Sequence, residues 1–120
     1  MTIPLPLPPK ELHPNASAKI HHMKKARIRR QYRETCGWAA KAAILRSSWA
    51  LVSDATVLAT FYFNTKRERD GDNLIAWIKA GIDGLVDAGV FEDDNRIKYL
   101  PVVIVVDKTA APRVEIEVLP

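Results

Sequence analysis

RERDGDNLIAWIKAGIDGLVDAGVFEDDNR runs from Arg67 to Arg96 and sets the frame for the whole chain. Leu74, Ile78, Ile82 and Leu85 recur in its middle at steps of four, four and three, which is one buried helical face. Asp72 or Asn73 is a natural N-cap, and Gly89 is a natural C-terminal stop. The spacing therefore predicts a helix from about Asn73 to Asp87 or Ala88. Acids crowd both of its ends, as Asp70-Gly-Asp72 before it and Glu92-Asp93-Asp94 after it.

Strand signals flank this helix. TVLATFYF, Thr56 to Phe63, is rich in β-branched and aromatic residues. Downstream, VVIVVD is apolar on both faces and reads as a central strand. RVEIEVL alternates Val114, Ile116 and Val118 with charged residues, so one of its faces is wet. KTAAP reads as the hairpin loop between those two strands. Upstream, the prolines of IPLPLPP suit an edge strand, where a missing N–H costs nothing. KELHPNASAK is a loop with turn chemistry at Pro14-Asn15. From about Ile20 to Arg46 good helix formers predominate, with an apolar stripe of Ile28, Tyr32, Cys36, Ala39, Ala40, Ala43 and Ile44. Gly37 costs that helix about 1 kcal/mol relative to alanine. SSWALVSD ends the pattern. The expected fold is α+β, a single domain over residues 1–120. A small mixed β-sheet carries two helices in the order β-α-β-α-β-β.

Composition narrows the functional classes. With 120 residues, 48% of them apolar, the chain can bury a core of its own. No apolar run approaches the roughly 20 residues that cross a bilayer. MTIPLPLPPKEL lacks the basic and apolar regions of a signal peptide, so a cytoplasmic location and no membrane partner are expected. Cys36 is the one cysteine, which excludes an internal disulfide and a multi-cysteine metal site. The net charge of +4 matters less than its layout. Lys19, Lys24, Lys25, Arg27, Arg29, Arg30, Arg33, Lys41 and Arg46 face only Glu34 between residues 19 and 46. Asp70, Asp72, Asp83, Asp87, Glu92, Asp93 and Asp94 face only Lys79 between residues 70 and 94. Such segregation suggests an electrostatic task.

The helix from Asn73 to Ala88 is about 24 Å long, so acids at its two ends cannot meet along one rigid helix. They converge only if the chain after Gly89 folds back, with the strand near Arg96 running beside the one that ends at Phe63. Convergent carboxylates without His or Cys would suit Mg²⁺ or Mn²⁺, and in a basic protein they would suit phosphodiester hydrolysis. The alternative is plain. Asp72 caps the helix, Asp70 flanks a turn, and Glu92-Asp93-Asp94 is a solvated loop.

The block RERDGDNL…KAGIDGLVDAGVFEDDNRI resembles the signature of RusA-type Holliday junction resolvases. That signature has basic residues, Asp-x-Asp-Asn, a helical lysine, Asp-x-Leu, Ala-Gly and an Asp-Asp pair. LPLPPKELHPN is similar to the family's Pro-rich opening strand and Asn-containing loop. The resemblance implies that Asp70, Asp72 and Asp94 are catalytic, metal-binding acids, with Lys79 the catalytic lysine. Asp93 would be a neighbouring acid. It also implies a Mg²⁺-dependent homodimer, often encoded by phages or prophages, that nicks four-way DNA junctions symmetrically in recombination or repair. One departure stands out. The family's lysine follows the second aspartate at i+4, whereas here Ala76 is at i+4 and Lys79 at i+7. Either the helix starts about a turn earlier, or the lysine reaches differently. Otherwise Lys79 is a surface residue that pairs with Asp83 at i+4.

The run KKARIRR offers a phosphate-binding surface, with Arg27 and Arg30 on one face and Lys25 and Arg29 on another. Lys24 belongs with them, and Arg67 and Arg69 flank the acids closely enough to touch a cleaved strand. His13, His21 and His22 fit no zinc spacing and read as surface histidines. Trp38, Trp49 and Trp77 suit core or dimer packing better than base stacking. Two rival readings remain. One is a junction- or branched-DNA-binding protein without cleavage, and the other a less selective flap or branch nuclease.

Overall fold

In the computed structural model, which describes residues 1–16 and 20–119, the strand β2 (Ala55–Phe63) is the centre of the sheet. Lys19 and the last residues of the expected 10–19 loop lie outside the described residues. Ala55, Val57, Ala59, Phe61 and Phe63 of β2 are buried, and the residues between them are half-exposed. That alternation is the period of a strand with one face on a core. β5 (Arg113–Leu119) runs antiparallel along one side of β2, and β1 (Thr2–Pro6) runs antiparallel along β5 at the outer edge. On the other side, β3 (Ile97–Tyr99) pairs in parallel with the start of β2, and β4 (Val103–Val106) with its end. The observed order is β-α-β-α-β-β-β, with the expected post-helix strand divided into β3 and β4 around Pro101.

Two expectations are corrected by this topology. VVIVVD is not central: β4 pairs with β2 alone, and Val103, Ile104 and Val106 are exposed. Nor is KTAAP a hairpin loop, because β4 and β5 lie on opposite sides of β2. The central position went to β2, whose Phe61 on the inner face stacks with Trp77. The edge prolines behave as expected. Pro4 and Pro6 project away from the core while Ile3 and Leu5 enter it.

Helix α1 (His22–Ser47) buries Tyr32, Cys36, Gly37, Ala40 and Ala43, close to the expected stripe. Helix α2 (Gly71–Ala88) buries Leu74, Trp77, Ile78, Ala80, Gly81, Ile82, Gly84 and Leu85. The small residues let the two helices touch. A Cβ at Gly84 would lie 2.3 Å from the Arg33 carbonyl oxygen, and one at Gly37 would lie 3.4 Å from the Gly84 carbonyl. Gly37 thus weakens α1 locally but permits this crossing. The Tyr32 hydroxyl donates to the Pro6 carbonyl at 2.6 Å and ties α1 to the end of β1. Gly89 closes α2 at φ 92°, its N–H bonded to Leu85 and Val86 carbonyls, as a left-handed stop requires. No helix among the described residues is long and apolar enough to cross a membrane.

Candidate functional site

The N-terminus of α2 begins earlier than expected. Asp70, not Asp72 or Asn73, is the N-cap, and its Oδ1 accepts the Asp72 N–H at 2.9 Å. That bond satisfies one of the donors a helix start leaves open, and the carboxylate complements the positive end of the helix dipole. Gly71 and Asp72 therefore join the first turn. Asp72 is exposed and lines a groove of about 550 Å³ with Gly71, Ile75, Tyr99 and the Leu100–Val102 segment.

Further along α2, the Lys79 ammonium donates to two carboxylates, those of Asp83 and Asp94. Asp83 lies one turn ahead on the same helix. Asp94 belongs to the short 3₁₀ turn Asp94–Arg96, which the chain forms as it folds back after Gly89. The fold-back is the one that convergence demanded, since β3 then enters the sheet beside β2. Lys79 thus meets an acid of the second cluster from i+7, and it also makes the i+4 pair with Asp83. Partial burial pulls the lysine's pKa down, but the hydrogen bonds and charges of Asp83 and Asp94 outweigh this and hold it above the ordinary lysine value. The Lys79 hydrogen bond holds the Asp94 carboxyl below the usual carboxylate range, and Asp93 adds to this. Asp93 itself caps the 3₁₀ turn, accepting the Asn95 N–H at 2.9 Å.

Tyr99 connects the two parts. Its phenol feels the charges of Lys79, Asp94 and Asp83, and burial pushes its pKa up. It also lines the groove beside Asp72. The sequence reading missed Tyr99, because a single tyrosine at the end of a three-residue strand carries no motif. The order along the exposed face of α2 is then Asp70, Asp72, Tyr99, Lys79 with Asp94, and Asp83. Seven residues separate Asp72 from Lys79, or about 10 Å along the axis. Among the described residues, no three His, Cys, Asp or Glu side chains are grouped closely enough to hold a metal ion. Asp70 and Asp72 share one end of the helix, while Asp94 is engaged by Lys79 two turns on. The carboxylates suit Mg²⁺ or Mn²⁺ in donor chemistry but, so placed, do not close on a single ion.

The cations sort into two kinds. Arg69 is an organiser of its own loop: its guanidinium lies 3.7 Å from the Phe63 ring and donates to Thr65 and Arg67 carbonyls and to the Thr65 hydroxyl, each at 3.2 Å. Burial pulls its pKa down, with Arg67 adding to this. Arg67 is exposed and lines a cleft of about 470 Å³ with Lys10, His13, Asn15, Arg69 and Trp77. The N-terminal loop docks there because the Trp77 indole N–H donates to the Pro9 carbonyl at 2.8 Å and His13 packs edge-on against the Trp77 ring. Pro14 and Asn15 sit inside a turn closed by the Ala16 N–H on the His13 carbonyl at 2.8 Å. Lys10, His13 and Asn15 were not placed beside Arg67 by the sequence, in which His13 reads as a surface histidine and Asn15 as part of a turn. Only the docking of that loop against Trp77 brings them beside Arg67.

On α1, Lys24, Arg27, Arg29 and Arg30 are exposed and Lys25 is half-exposed. None of the five makes an ion pair among the described residues. Arg33 differs, holding Asp87 of α2 through two hydrogen bonds of 2.6 and 2.8 Å. His21 caps α1 by accepting the Met23 N–H at 3.2 Å, so that histidine has a structural role. Trp77 is buried, Trp49 donates to the Val90 carbonyl at 2.9 Å, and Trp38 is 64% exposed with Lys41 over its ring.

A search of curated proteins returned no match to the chain. The family model described as Endodeoxyribonuclease RusA matches residues 6–119, from the end of β1 to the end of β5. The match includes both acidic clusters, Lys79 and the basic helix, and the chain belongs to the RusA endodeoxyribonuclease family.

Proposed function

We propose that the protein is a Mg²⁺-dependent, structure-selective endodeoxyribonuclease that works as a homodimer and resolves four-way DNA junctions by paired, symmetric nicks. Family membership supports nuclease chemistry on DNA. The observation that carries the assignment of residues is the contact of Lys79 with Asp94, which joins the helix lysine to the second acidic cluster despite its shifted spacing. On the family likeness, Asp70, Asp72 and Asp94 are the acids assigned to Mg²⁺, with Mn²⁺ as a substitute, although as placed the three do not close on a single ion. Their support is the hard-oxygen chemistry of the donors, and no step is assigned to the ion.

The chain's own groups have defined tasks in this reading. Lys79 stays protonated at neutral pH, since Asp83 and Asp94 hold its pKa up. With two of its three N–H groups engaged, one remains for a phosphoryl oxygen, where it stabilises charge that develops in the transition state. Lys24, Lys25, Arg27, Arg29 and Arg30 neutralise phosphates without reading sequence. Arg67 does so beside the acids, and Arg69 holds the loop that presents it. A four-way junction is two-fold symmetric, and paired nicks need two sites related in the same way, which a two-fold homodimer supplies. The work belongs in the cytoplasm of a bacterial or phage-infected cell, where such DNA occurs.

The test is incubation of the purified protein with a labelled synthetic four-way junction, a flap and a linear duplex, with and without Mg²⁺. Nicks at opposed positions in the junction, dependent on Mg²⁺ and scarce in the other two, are expected. Tight junction binding without nicks at any Mg²⁺ or Mn²⁺ concentration would make the protein a branched-DNA-binding protein instead. Equal cutting of all three would leave a nuclease without junction selectivity.

A further inference from the structure

We infer that Asp83 is a positioning residue for Lys79, the second anchor that fixes the ammonium against Asp94; this rests on the nuclease reading above. A lysine side chain is a flexible four-carbon stem with a mobile charge at its end. Here that end is shared between carboxylates from two segments, Asp83 on α2 and Asp94 on the 3₁₀ turn that follows it. Lys79 is about half-exposed, yet Asp83 and Asp94 are both less exposed than it is. The ammonium is therefore bent down onto the helix surface between two fixed acceptors rather than extended into solvent.

The Asp83 contact has little value as a helix-stabilising pair. An acid placed four residues after a lysine is the weaker orientation of an i,i+4 pair, because it sets both charges against the helix dipole. Asp83 is not needed to cap α2 either, since Gly89 closes that end. Among the described residues its hydrogen-bond and ion-pair partner is the lysine, while Arg33 and Tyr99 feel its charge from farther off. With Asp83 in place, Lys79 has one N–H left over, and the direction of that N–H is set by the other two. Without Asp83 the ammonium would pivot about Asp94 alone, and the third donor would lose its aim. Misplacement of this sort reduces rates while leaving affinity, which is spread over many phosphate contacts, almost unchanged.

A double-mutant cycle separates this from a merely structural role. Single-turnover cleavage of a preformed four-way junction in Mg²⁺ is measured for the wild type, Asp83→Asn, Lys79→Ala and the double variant, with junction affinity measured in EDTA. Asp83→Asn should slow cleavage on the order of 10- to 100-fold at unchanged affinity. The double variant should cleave no more slowly than Lys79→Ala alone, because Asp83 acts only through Lys79. Asp83→Glu, which keeps the charge, should recover more of the rate than Asp83→Asn. Cleavage by Asp83→Asn at the wild-type rate, or losses that multiply in the double variant, would overturn the inference while the nuclease reading stands. A wild type that cuts no branched DNA would overturn both.

Discussion

The two acidic clusters are held in different ways. At the start of α2 the backbone holds Asp70, whose carboxylate accepts an N–H of the first turn. After the helix a side chain holds Asp94, whose carboxylate accepts from Lys79. The first contact is a device that any helix can use, so it says little about chemistry. The second joins residues fifteen apart in sequence across two elements, and no general rule of helix capping supplies it. Function is better sought where a charged contact has no evident structural need, and the sharpest tests set the two clusters against each other.

The largest effect is expected at the first cluster. Asp70→Asn keeps an oxygen that can cap the helix, so folding should be retained while cleavage of a four-way junction is lost. Asp70→Ala should lose cleavage and also destabilise the protein by about 0.5–2 kcal/mol, as removal of a cap does. Thermal unfolding and a cleavage assay on the same pair of variants separate the two roles. If Asp70→Asn nicks junctions normally, Asp70 is a cap and nothing more.

Lys79 comes next. Lys79→Ala should lower the cleavage rate on the order of 10²–10³-fold with little change in junction affinity. Ala76 is exposed on α2. Moving the charge back one turn, as Ala76→Lys with Lys79→Ala, parts it from Asp83 and brings it nearer Asp72. The observed contacts predict that this swap does not restore the rate, since its ammonium no longer bridges Asp83 and Asp94. Full recovery would show that proximity to the first cluster is what matters.

A smaller effect is expected on α1. Replacing Arg27, Arg29 and Arg30 with alanine should weaken binding to junctions of any sequence. It should also flatten the slope of log K against log salt by up to about 3 if each arginine meets one phosphate. An unchanged slope would place the DNA on the Arg67 cleft alone.

The smallest effect belongs to the Arg33–Asp87 pair. Asp87 lies in the last turn of α2, where a negative charge opposes the helix dipole, and the Arg33 hydrogen bond holds its pKa down. A depressed carboxylate contributes stability above its unfolded pKa and loses it as pH falls through the folded value. The contribution should therefore begin to fall below about pH 4, near the unfolded value, and be gone once the pH is below the depressed folded value. Both side chains are about half-exposed, so Asp87→Asn should cost at most about 1 kcal/mol at neutral pH. A larger loss by chemical denaturation would mean that the pair helps lock the helix crossing.

The legible part of this molecule was what one segment decides by itself. The apolar spacing of Leu74 to Leu85 and the stop at Gly89 gave α2 almost whole, and Val114, Ile116 and Val118 gave the inner face of β5. Its start was misplaced because Asp70, Asp72 and Asn73 can all cap a helix, and only backbone geometry selects Asp70. What depended on pairing was not legible. VVIVVD has the composition of a central strand, but composition cannot say whether β2 or β4 has neighbours on both sides. The same limit hid the site's geometry. Lys79 at i+7 left open whether it serves the site or only pairs with Asp83 on the surface, and the fold-back after Gly89 gives it Asp94 as well as Asp83. Tyr99, Lys10 and His13 acquire significance only from what lies beside them.

Asp94→Asn tests the central claim most directly, because Asp94 caps no helix of the core and, among the described residues, its carboxylate is hydrogen-bonded from another element by Lys79 alone. The measurement is single-turnover nicking of a labelled four-way junction in Mg²⁺, with junction affinity measured on the same preparation. The account predicts a folded variant that binds the junction as well as the wild type or more tightly, since a charge that repels phosphate is gone, and that does not nick it. Nicking by Asp94→Asn at the wild-type rate would contradict the account and return the second acidic cluster to the role of a solvated loop.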